Sequence, residues 1–435
     1  MDDSQIDSYD DADDQKSALA AAASELFPDE HPIFADKQLL QIGHIPDGDR
    51  IVGRDSEIRS LADQLVDATD GNSPENVIIY GKPGTGKSLV SKYVTQLTEV
   101  KARTSGHDVA TAYIECNEDN TETQAVATIG QTLNREGSSV TVPDTGLSTS
   151  RYYKRLWDLL DAEYETVIVI LDEVDLLEDD SVLMELSRAE EAEKTTCNIG
   201  IIAISNKTKF VENLGQRTTS SLQETELFFP PYDAEQLQAI LRNRTDAFRE
   251  GVLSDGVVEL CAALAAREHG DARKALDILR NAGKIAYEEG DDRVTEAHVR
   301  NAQERAEIDR FREMIADSTV QSQAVILSLA LLTQHGDGDV FTSGDIYPVY
   351  EFVCEQCDLD SLTERRIRDL LKEQDFLDII QSTKRSRGHA RGIGREHRLI
   401  DDATIVRETI LSEPRFSDLF ESVSESQFAT AIARS

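Results

Sequence analysis

Residues 77–88 have the sequence VIIYGKPGTGKS, and this stretch decides the fold of the first half of the chain. Its strand-favouring residues, 77–80, lead directly into the pattern G-x-x-x-x-G-K-S, which runs from Gly81 to Ser88. A helical run follows over 89–97. Strand, glycine loop and helix in this order are the context that a phosphate-binding loop requires. The alternative is a chance match in a glycine-containing turn, and the flanking strand and helix argue against it.

The loop predicts a site for a nucleoside triphosphate and Mg²⁺. Its glycines let backbone N–H groups turn inward around phosphate oxygens, and the following helix points its positive dipole end at the same anions. We expect Lys87 to reach the β- and γ-phosphates and the Ser88 hydroxyl to bind Mg²⁺. The other expected nucleotide contacts in the loop are Gly84, Thr85, Gly86 and Leu89.

Polar residues follow two predicted strands downstream of the loop. Asp172 and Glu173 end an apolar run, 167–171, that is typical of a strand buried on both faces. We expect Asp172 to hold Mg²⁺ through its water shell and Glu173 to polarise the attacking water, although acidic residues also favour helix starts. Asn206 follows the strand 198–204, where its amide could orient the water, touch the γ-phosphate or serve only the turn.

Further signals complete the predicted nucleotide domain and add a helical domain after it. An apolar pair that includes Val52 lies upstream of the loop. Many ATPases with a phosphate-binding loop place the adenine at this point of the chain. Strands at 112–116 and 226–229 bring the parallel sheet to five, and a Pro-Pro pair then marks the domain boundary. Residues 232–306 have apolar positions at helical spacing. Within them Arg273 lies in a first helical turn, where it could reach the triphosphate or remain solvated.

The last part of the chain predicts a winged helix. Helices are expected at 324–332, 343–357 and 363–373, followed by a β-hairpin with strands 376–381 and 396–400. The hairpin loop, 382–395, carries five Lys or Arg residues and no acidic residue. The third helix would enter the major groove, and the wing would reach phosphates or the minor groove, unless the loop is merely solvated. The expected DNA contacts are Arg365, Arg366, Arg368, Lys384, Arg385, Arg387, Arg391 and Arg395.

The net charge of the chain is −38, from 83 acidic and 45 basic residues. Acidic residues are dispersed along the chain rather than confined to its first residues. Such a surface suits a cytoplasm of molar salt, where repulsion is screened over a few ångströms. We therefore predict a source among the halophilic archaea, with an acidic mesophilic protein as the alternative. Residues 1–24 are expected to be disordered, and 27–49 to lie extended over another surface.

Two further features bear on location and metal content. Cys354 and Cys357 form the one close cysteine pair, and no two further ligands at similar spacing follow, so buried reduced thiols are favoured over zinc. The start has no basic and apolar leader pattern, and no apolar run approaches ~18 residues. We expect a cytoplasmic, nucleoid-associated protein without membrane contact.

The order of these motifs resembles that of the archaeal origin-recognition and cell-division-cycle type initiators, which are AAA+ ATPases. The resemblance covers about residues 30–435, and four local sequences carry it: HIPDGDRIVGRDSEI at 44–58, VPDTGLSTS at 142–150, GDARKALDILRNAG at 270–283 and LTERRIRDLLKEQDFLDII at 362–380. It implies an α/β AAA+ base with a five-stranded parallel sheet, a helical lid and a C-terminal winged helix. The implied boundaries are 25–230 for the base, with an insertion at about 117–150, then 231–306 and 307–435.

The resemblance also implies roles for individual residues. Tyr232 and Arg244 correspond to lid residues near the nucleotide, Arg273 to the second sensor and Asn206 to the first. In the family the insertion contacts origin DNA beside the winged helix.

One position departs from the pattern of the bacterial initiators. Their helix before the fifth strand ends in an arginine that reaches the neighbour's ATP. Here Ser221 stands at that position and Arg217 is the nearest candidate, which implies slow hydrolysis or stable nucleotide binding.

The implied function is that of an ATP-dependent replication initiator, a slow ATPase acting as a switch. Its cofactors would be ATP or ADP and Mg²⁺. Its partners would be double-stranded origin DNA and the minichromosome-maintenance helicase, with other initiator copies as a further candidate. Two alternatives stay open: an ATP-switched DNA-binding regulator with little hydrolysis, and a clamp-loader or chaperone-type AAA+ protein that acts on protein. The second class lacks a C-terminal winged helix with a basic wing.

Overall fold

The structure is a computed structural model that describes residues 31–41, 50–207, 209–210, 214–222, 225–336, 338–386 and 393–417. The predicted disordered segment, 1–24, lies outside these residues. The chain divides after residue 302 into two compact units. The first contains the base and the lid, and the second contains the C-terminal domain.

The base is built on a five-stranded parallel sheet with the strand order β2-β3-β4-β1-β5, as predicted. Apolar residues cover both faces of the central strands, so the sheet is buried between layers of helices. The predicted strands agree with the observed ones to within three residues. The strands are β1 Val77–Tyr80, β2 Val109–Glu115, β3 Thr166–Asp172, β4 Asn198–Ser205 and β5 Thr225–Phe228.

Six helices of the base flank this sheet within the described residues. They are α1 Asp55–Leu65, α2 Lys87–Ser105, α3 Glu122–Thr132, α4 Thr149–Glu163, α5 Ser181–Ser187 and α6 Gln216–Leu222. The region 117–150, predicted as an insertion, contains α3 and a turn-rich segment that leads to α4. Helices α3 and α4 pack on each other, and Val126, Leu156 and Trp157 join them to the core of the sheet.

The described part of the lid contains the helices α7 Ala234–Arg242, α8 Val257–Arg267 and α9 Ala272–Glu289. Residues 31–41 lie over it, as predicted for 27–49, but Lys37–Leu40 form a short 3-10 helix where an extended chain was expected. The backbone N–H of Ala35 donates to the carbonyl of Ala247 at 2.8 Å, and the rings of Phe34 and Phe248 are 5.0 Å apart. A longer helix, α10 Glu296–Ala316, follows α9, and its residues Val299 and Ala302 belong to the apolar core of the lid.

The second unit has the winged-helix architecture that was predicted. It contains four helices and a three-stranded sheet with the order β6-β8-β7. In this sheet β8 pairs antiparallel with both neighbours. One continuous apolar core holds these elements together. The elements are α11 Val320–His335, β6 Phe341–Thr342, α12 Ser343–Gln356, α13 Glu364–Phe376, β7 Ile380–Ser386, β8 Ile393–Leu399 and α14 Ala403–Leu411.

The observed hairpin of this unit differs from the sequence prediction in its strand boundaries. Strand β7 begins at Ile380, not at Phe376, because the buried face of α13 continues through Leu371 and Gln374 and carries the helix to its end. Both strands also extend into the region that was predicted as loop. The short strand β6 and the helix α14 were not predicted.

We expect the buried face of α4 to be essential for the stability of the base. Leu156 is fully buried, so Leu156→Ala should lower the free energy of unfolding by about 2–5 kcal/mol through lost burial and a residual cavity. Asp158 is exposed on the same helix, and Asp158→Ala should change it by less than about 0.5 kcal/mol. Urea denaturation in molar KCl measures both. Equal effects of the two substitutions would contradict this packing.

Candidate functional site

A cleft of about 640 Å³ lies at the carboxyl end of the parallel sheet, where β1 leads into the glycine loop. Ligands of open α/β sheets bind at this end of the strands. The structure brings thirteen of the predicted site residues into the wall of this cleft. They are Val52, Gly84, Thr85, Gly86, Lys87, Ser88, Leu89, Asp172, Glu173, Asn206, Tyr232, Arg244 and Arg273.

The glycine loop turns its backbone around a buried lysine. Gly84 and Gly86 adopt φ values of 73° and 85°, which favour glycine, and α2 begins directly after the second of them. The Lys87 ammonium donates to the carbonyls of Gly81 and Lys82 at 2.8 and 2.9 Å and to Asn206 Oδ1 at 2.9 Å. Burial lowers the pKa of Lys87 to about 8. Its charge is therefore stabilised only partly by these neutral acceptors.

The two carboxylates at the end of β3 are each held by a neighbour. Asp172 Oδ1 accepts from the backbone N–H of Glu173 at 3.0 Å, and Oδ2 accepts from the Tyr113 hydroxyl at 2.5 Å. Glu173 has a left-handed backbone, with φ at 54°, and its Oε1 accepts from Asn206 Nδ2 at 3.3 Å. The Asn206 amide therefore bridges Lys87 and Glu173.

The first turn of the lid helix α9 touches the glycine loop. The backbone N–H of Ala272 donates to the carbonyl of Gly84 at 3.1 Å. The Asp271 carboxylate lies directly over Gly84, and a Cβ at position 84 would be 1.7 Å from Oδ1. Arg273 is about half exposed in the cleft wall, with Nη2 at 3.5 Å from Asp271 Oδ2. Any anion in the loop would thus lie against both base and lid.

The surroundings of Arg244 show whether these residues suit a nucleotide. This side chain is 6 % exposed, it lines the cleft, and its Nε and Nη1 have no hydrogen-bond partner among the described residues. Burial lowers the pKa of Arg244. Buried guanidinium N–H groups without acceptors favour an anion beside them, which a phosphate would supply. The Ser88 hydroxyl and Asp172 carboxylate offer the oxygen ligands that Mg²⁺ prefers. The donor set fits a nucleoside triphosphate with Mg²⁺.

Sequence reasoning missed Arg54, which joins the loop to the lid. Its side chain is 1 % exposed, its Nε donates to the carbonyl of Thr85 at 2.9 Å, and its Nη2 donates to that of Pro230 at 2.5 Å. The guanidinium also lies 3.9 Å from the centroid of the Tyr232 ring and pairs with Glu57. No local sequence signal distinguishes such an arginine from a solvated one, because its partners are distant in the chain.

Three family models match the chain in the order of its domains. An AAA domain matches residues 71–214, the Cdc6 AAA+ ATPase-type lid domain matches 238–304, and the CDC6 C-terminal winged helix domain matches 313–409. The chain is 54% identical over 403 residues to ORC1-type DNA replication protein 4 of Halobacterium salinarum, covering 92% of this chain and 98% of that protein. The chain belongs to the ORC1-type DNA replication proteins.

Two more relatives agree with this assignment. ORC1-type DNA replication protein 9 of Haloarcula marismortui is 46% identical over 376 residues, which cover 86% of this chain and 90% of that protein. A solved structure of the Aeropyrum pernix ORC1 protein in complex with DNA superposes with a TM-score of 0.71 at 36% identity, covering 90% of this chain and 100% of that one. The predicted initiator family and its haloarchaeal relatives are confirmed.

Arg217 of this ORC1-type protein lies apart from the cleft. It is exposed on α6, whose last residues precede β5, and Thr225 at the start of β5 pairs with Val77 at the start of β1. The cleft lies at the other end of these strands. Ser221 donates to the carbonyl of Arg217 at 2.7 Å and accepts from Arg188 Nε at 2.9 Å. Neither arginine belongs to the wall of the chain's own cleft.

The predicted DNA contacts lie on two elements of the winged helix. Arg365, Arg366 and Arg368 are exposed on the first half of α13, and Arg368 pairs with Glu364 at 3.0 Å. Lys384 on β7 faces Arg395 on β8 across the hairpin, and both are exposed. The backbone of Arg385 belongs to β7, whereas Arg387 and Arg391 lie outside the described residues.

The cysteine pair has the environment expected of reduced thiols. Cys354 is buried and Cys357 partly buried, and burial raises the pKa of both thiols, that of Cys357 to about 11. Among the described residues, neither belongs to a group of side chains that could hold a metal ion. None of the described helices is long and apolar enough to cross a membrane.

The burial of Lys87 predicts a pH-dependent uptake of a proton on nucleotide binding. Phosphates favour the ammonium form, so they should raise the pKa of Lys87 above about 8. Above that pH, binding of ADP should take up as much as one proton, and the apparent affinity should fall as pH rises. Calorimetry in buffers of different ionisation enthalpy measures the uptake. Identical uptake about one pH unit above and below that pKa would contradict the expectation.

Proposed function

We propose that this protein is an ATP-dependent initiator of DNA replication that binds repeats in origin DNA and helps to recruit the replicative minichromosome-maintenance helicase. The observation that carries the proposal is the contact between the glycine loop and the lid through Gly84 and Ala272. A triphosphate in the loop would touch base and lid together, so its presence or absence would be transmitted to the rest of the chain.

The nucleotide would be held by residues of both domains. Lys87 would exchange the carbonyls of Gly81 and Lys82 for the β- and γ-phosphates, and the unbonded N–H groups of the buried Arg244 would gain phosphate acceptors. Arg273 would leave Asp271 for the phosphates as the second sensor. Val52, Tyr232 and Leu89 in the cleft wall would enclose the remaining part of the nucleotide.

Hydrolysis would depend on the acidic pair and Asn206. Mg²⁺, held by Ser88 and the water shell at Asp172, would supply charge neutralisation between the phosphates. Glu173 would orient and polarise the attacking water once Asn206 releases it, and Asn206 would then contact the terminal phosphate or the water. Because Arg217 lies outside the cleft, stimulation of hydrolysis by Arg217 would require a second copy of the chain. We therefore propose a slow ATPase that acts as a switch.

DNA binding would be the task of the winged helix. The related Aeropyrum pernix ORC1 structure is a complex with DNA, and the level of identity, 36%, supports a similar use of this domain. The exposed arginines of α13 would enter the major groove, and Lys384 with Arg395 would place positive charge at the wing. The insertion at about 117–150 would add a second contact. The proposal also includes domain boundaries after residues 24, 230 and 306. It further includes a cytoplasmic, nucleoid-associated location.

A regulator with little hydrolysis is the second candidate. The contacts of Asn206 with both Lys87 and Glu173 favour it, since they hold the catalytic groups in a resting arrangement. In that case the protein would bind ATP and DNA, and its bound nucleotide would persist. Other initiator copies would then be its partners on DNA.

Glu173→Gln separates these two candidates. In the slow ATPase it should retain ATP binding and lower the turnover rate at least about 100-fold, because the amide cannot accept the proton of the attacking water. Glu178 is exposed on the loop beyond β3, so Glu178→Gln should leave turnover unchanged. Phosphate release under single-turnover conditions measures both. A parent protein without turnover would favour the regulator.

The basic hairpin predicts the salt dependence of DNA binding. Replacing Lys384 and Arg395 together by Ser should weaken binding to origin DNA and reduce the slope of log affinity against log salt by about 2, since each lost phosphate contact removes about 0.9. Lys101 and Arg103 are exposed on α2 of the base, and their replacement by Ser serves as the charge-matched control. Fluorescence anisotropy over a KCl series measures the slopes. Equal slopes for both double variants would contradict a role of the hairpin in DNA binding.

A further inference from the structure

Tyr113 and Lys92 form a pair beside the acidic end of β3. Tyr113 lies on β2, the neighbour of β3, and its hydroxyl donates to Asp172 Oδ2 at 2.5 Å. The Lys92 ammonium lies 3.4 Å from the centroid of the Tyr113 ring. Both side chains belong to the wall of the cleft, on the side of Asp172 that faces away from Asn206 and β4.

The strand register explains how Tyr113 reaches this carboxylate. Glu115 pairs with Asp172 across the β2–β3 ladder, and Tyr113 lies two residues earlier on the same face of the sheet. Diagonal neighbours of this kind are within reach of an aromatic side chain. The ring packs against the apolar core of the base, and the hydroxyl reaches the Asp172 carboxylate. Packing alone would require the ring and not the hydroxyl.

The hydrogen bonds of Asp172 then define the orientation of its carboxylate. Oδ1 accepts from the backbone N–H of Glu173, and Oδ2 accepts from Tyr113, so rotation about the last side-chain bond would break both. Groups that hold a metal-binding side chain in place commonly change metal affinity by 10–100-fold when they are removed. Residues that act in this way do not touch the metal themselves.

Lys92 supports the same arrangement from the helix. It lies one turn after Ser88 on α2, so both side chains lie on the face that borders the cleft. A cation over the face of a phenol ring stabilises the ring in place and makes its hydroxyl a stronger hydrogen-bond donor. No carboxylate partner of Lys92 is found among the described residues, so the ring is its principal neighbour.

We propose that Tyr113 is a positioning residue that orients the Asp172 carboxylate for Mg²⁺, and that Lys92 holds Tyr113 in place. The proposal rests on the proposed function, since it concerns the Mg²⁺-nucleotide complex in the same cleft. It gives β2 a role in nucleotide binding, in addition to the roles of the motifs at the ends of β1, β3 and β4. A purely structural role of the tyrosine would affect stability and leave the Mg²⁺ requirement as it is.

Tyr113→Phe tests the proposal, with the affinity for ATP measured by calorimetry in molar KCl, first in EDTA and then over a MgCl₂ series. The half-effect concentration, which is the Mg²⁺ concentration that gives half of the full increase in ATP affinity, should rise about tenfold relative to the parent. The affinity for ATP in EDTA should stay unchanged. Lys92→Met should raise the half-effect concentration about threefold, and should add little to Tyr113→Phe because the hydroxyl that it supports is already absent.

Tyr93→Phe is the matched control. Tyr93 lies on α2 and packs into the core of the base, and its hydroxyl has no partner among the described residues. Its Mg²⁺ response should equal that of the parent. An unchanged half-effect concentration for Tyr113→Phe, or an equal loss of affinity in EDTA and in Mg²⁺, would overturn the positioning role alone. A parent that binds no ATP, or binds it without response to Mg²⁺, would overturn the proposed function and this inference with it.

Discussion

The contact between the glycine loop and the first turn of α9 is the constraint on which the rest of the first unit depends. The backbone of Gly84 meets Ala272 and the Asp271 carboxylate so closely that no side chain fits between them. Arg54 strengthens the junction, because its buried guanidinium binds the carbonyls of Thr85 and Pro230. Hydrogen bonds to charged groups contribute about 1.5–3 kcal/mol each, so Arg54 stabilises this junction.

That junction places three positive side chains of different character around one cleft. Lys87 donates to neutral acceptors, Arg244 is buried with two N–H groups that have no acceptor among the described residues, and Arg273 is paired with Asp271 at the surface. A phosphate chain would be the common partner of all three. The net charge of the protein is −38, so a group of three cations is an exception to its acidic composition. The basic hairpin of the winged helix is a second such exception. Dispersed acidic residues repel polyanions, so binding of phosphate or DNA would depend on such local groups of cations.

Much of the fold and of the cleft could be predicted from the sequence because the signals are local. The strand, glycine loop and helix around Lys87 are contiguous, and buried strands such as β3 are recognisable from their apolar runs. The hairpin strands were placed less well, since the end of α13 and the start of β7 depend on which face of residues 371–380 the core covers. Arg54 and Tyr113 were not found, because each acts on residues that only folding brings near.

The sequence by itself determined the domain types, the phosphate loop, the acidic pair at the end of β3 and the membership in the initiator family, since each depends on residue identity at short spacing. Only the tertiary structure decided how these parts meet. The Asn206 bridge between Lys87 and Glu173, the lid contact at Gly84 and the position of Arg217 away from the cleft all depend on strand order and helix packing. Contacts between residues more than a hundred positions apart leave no local pattern in the chain, because the geometry of the folded core alone selects them.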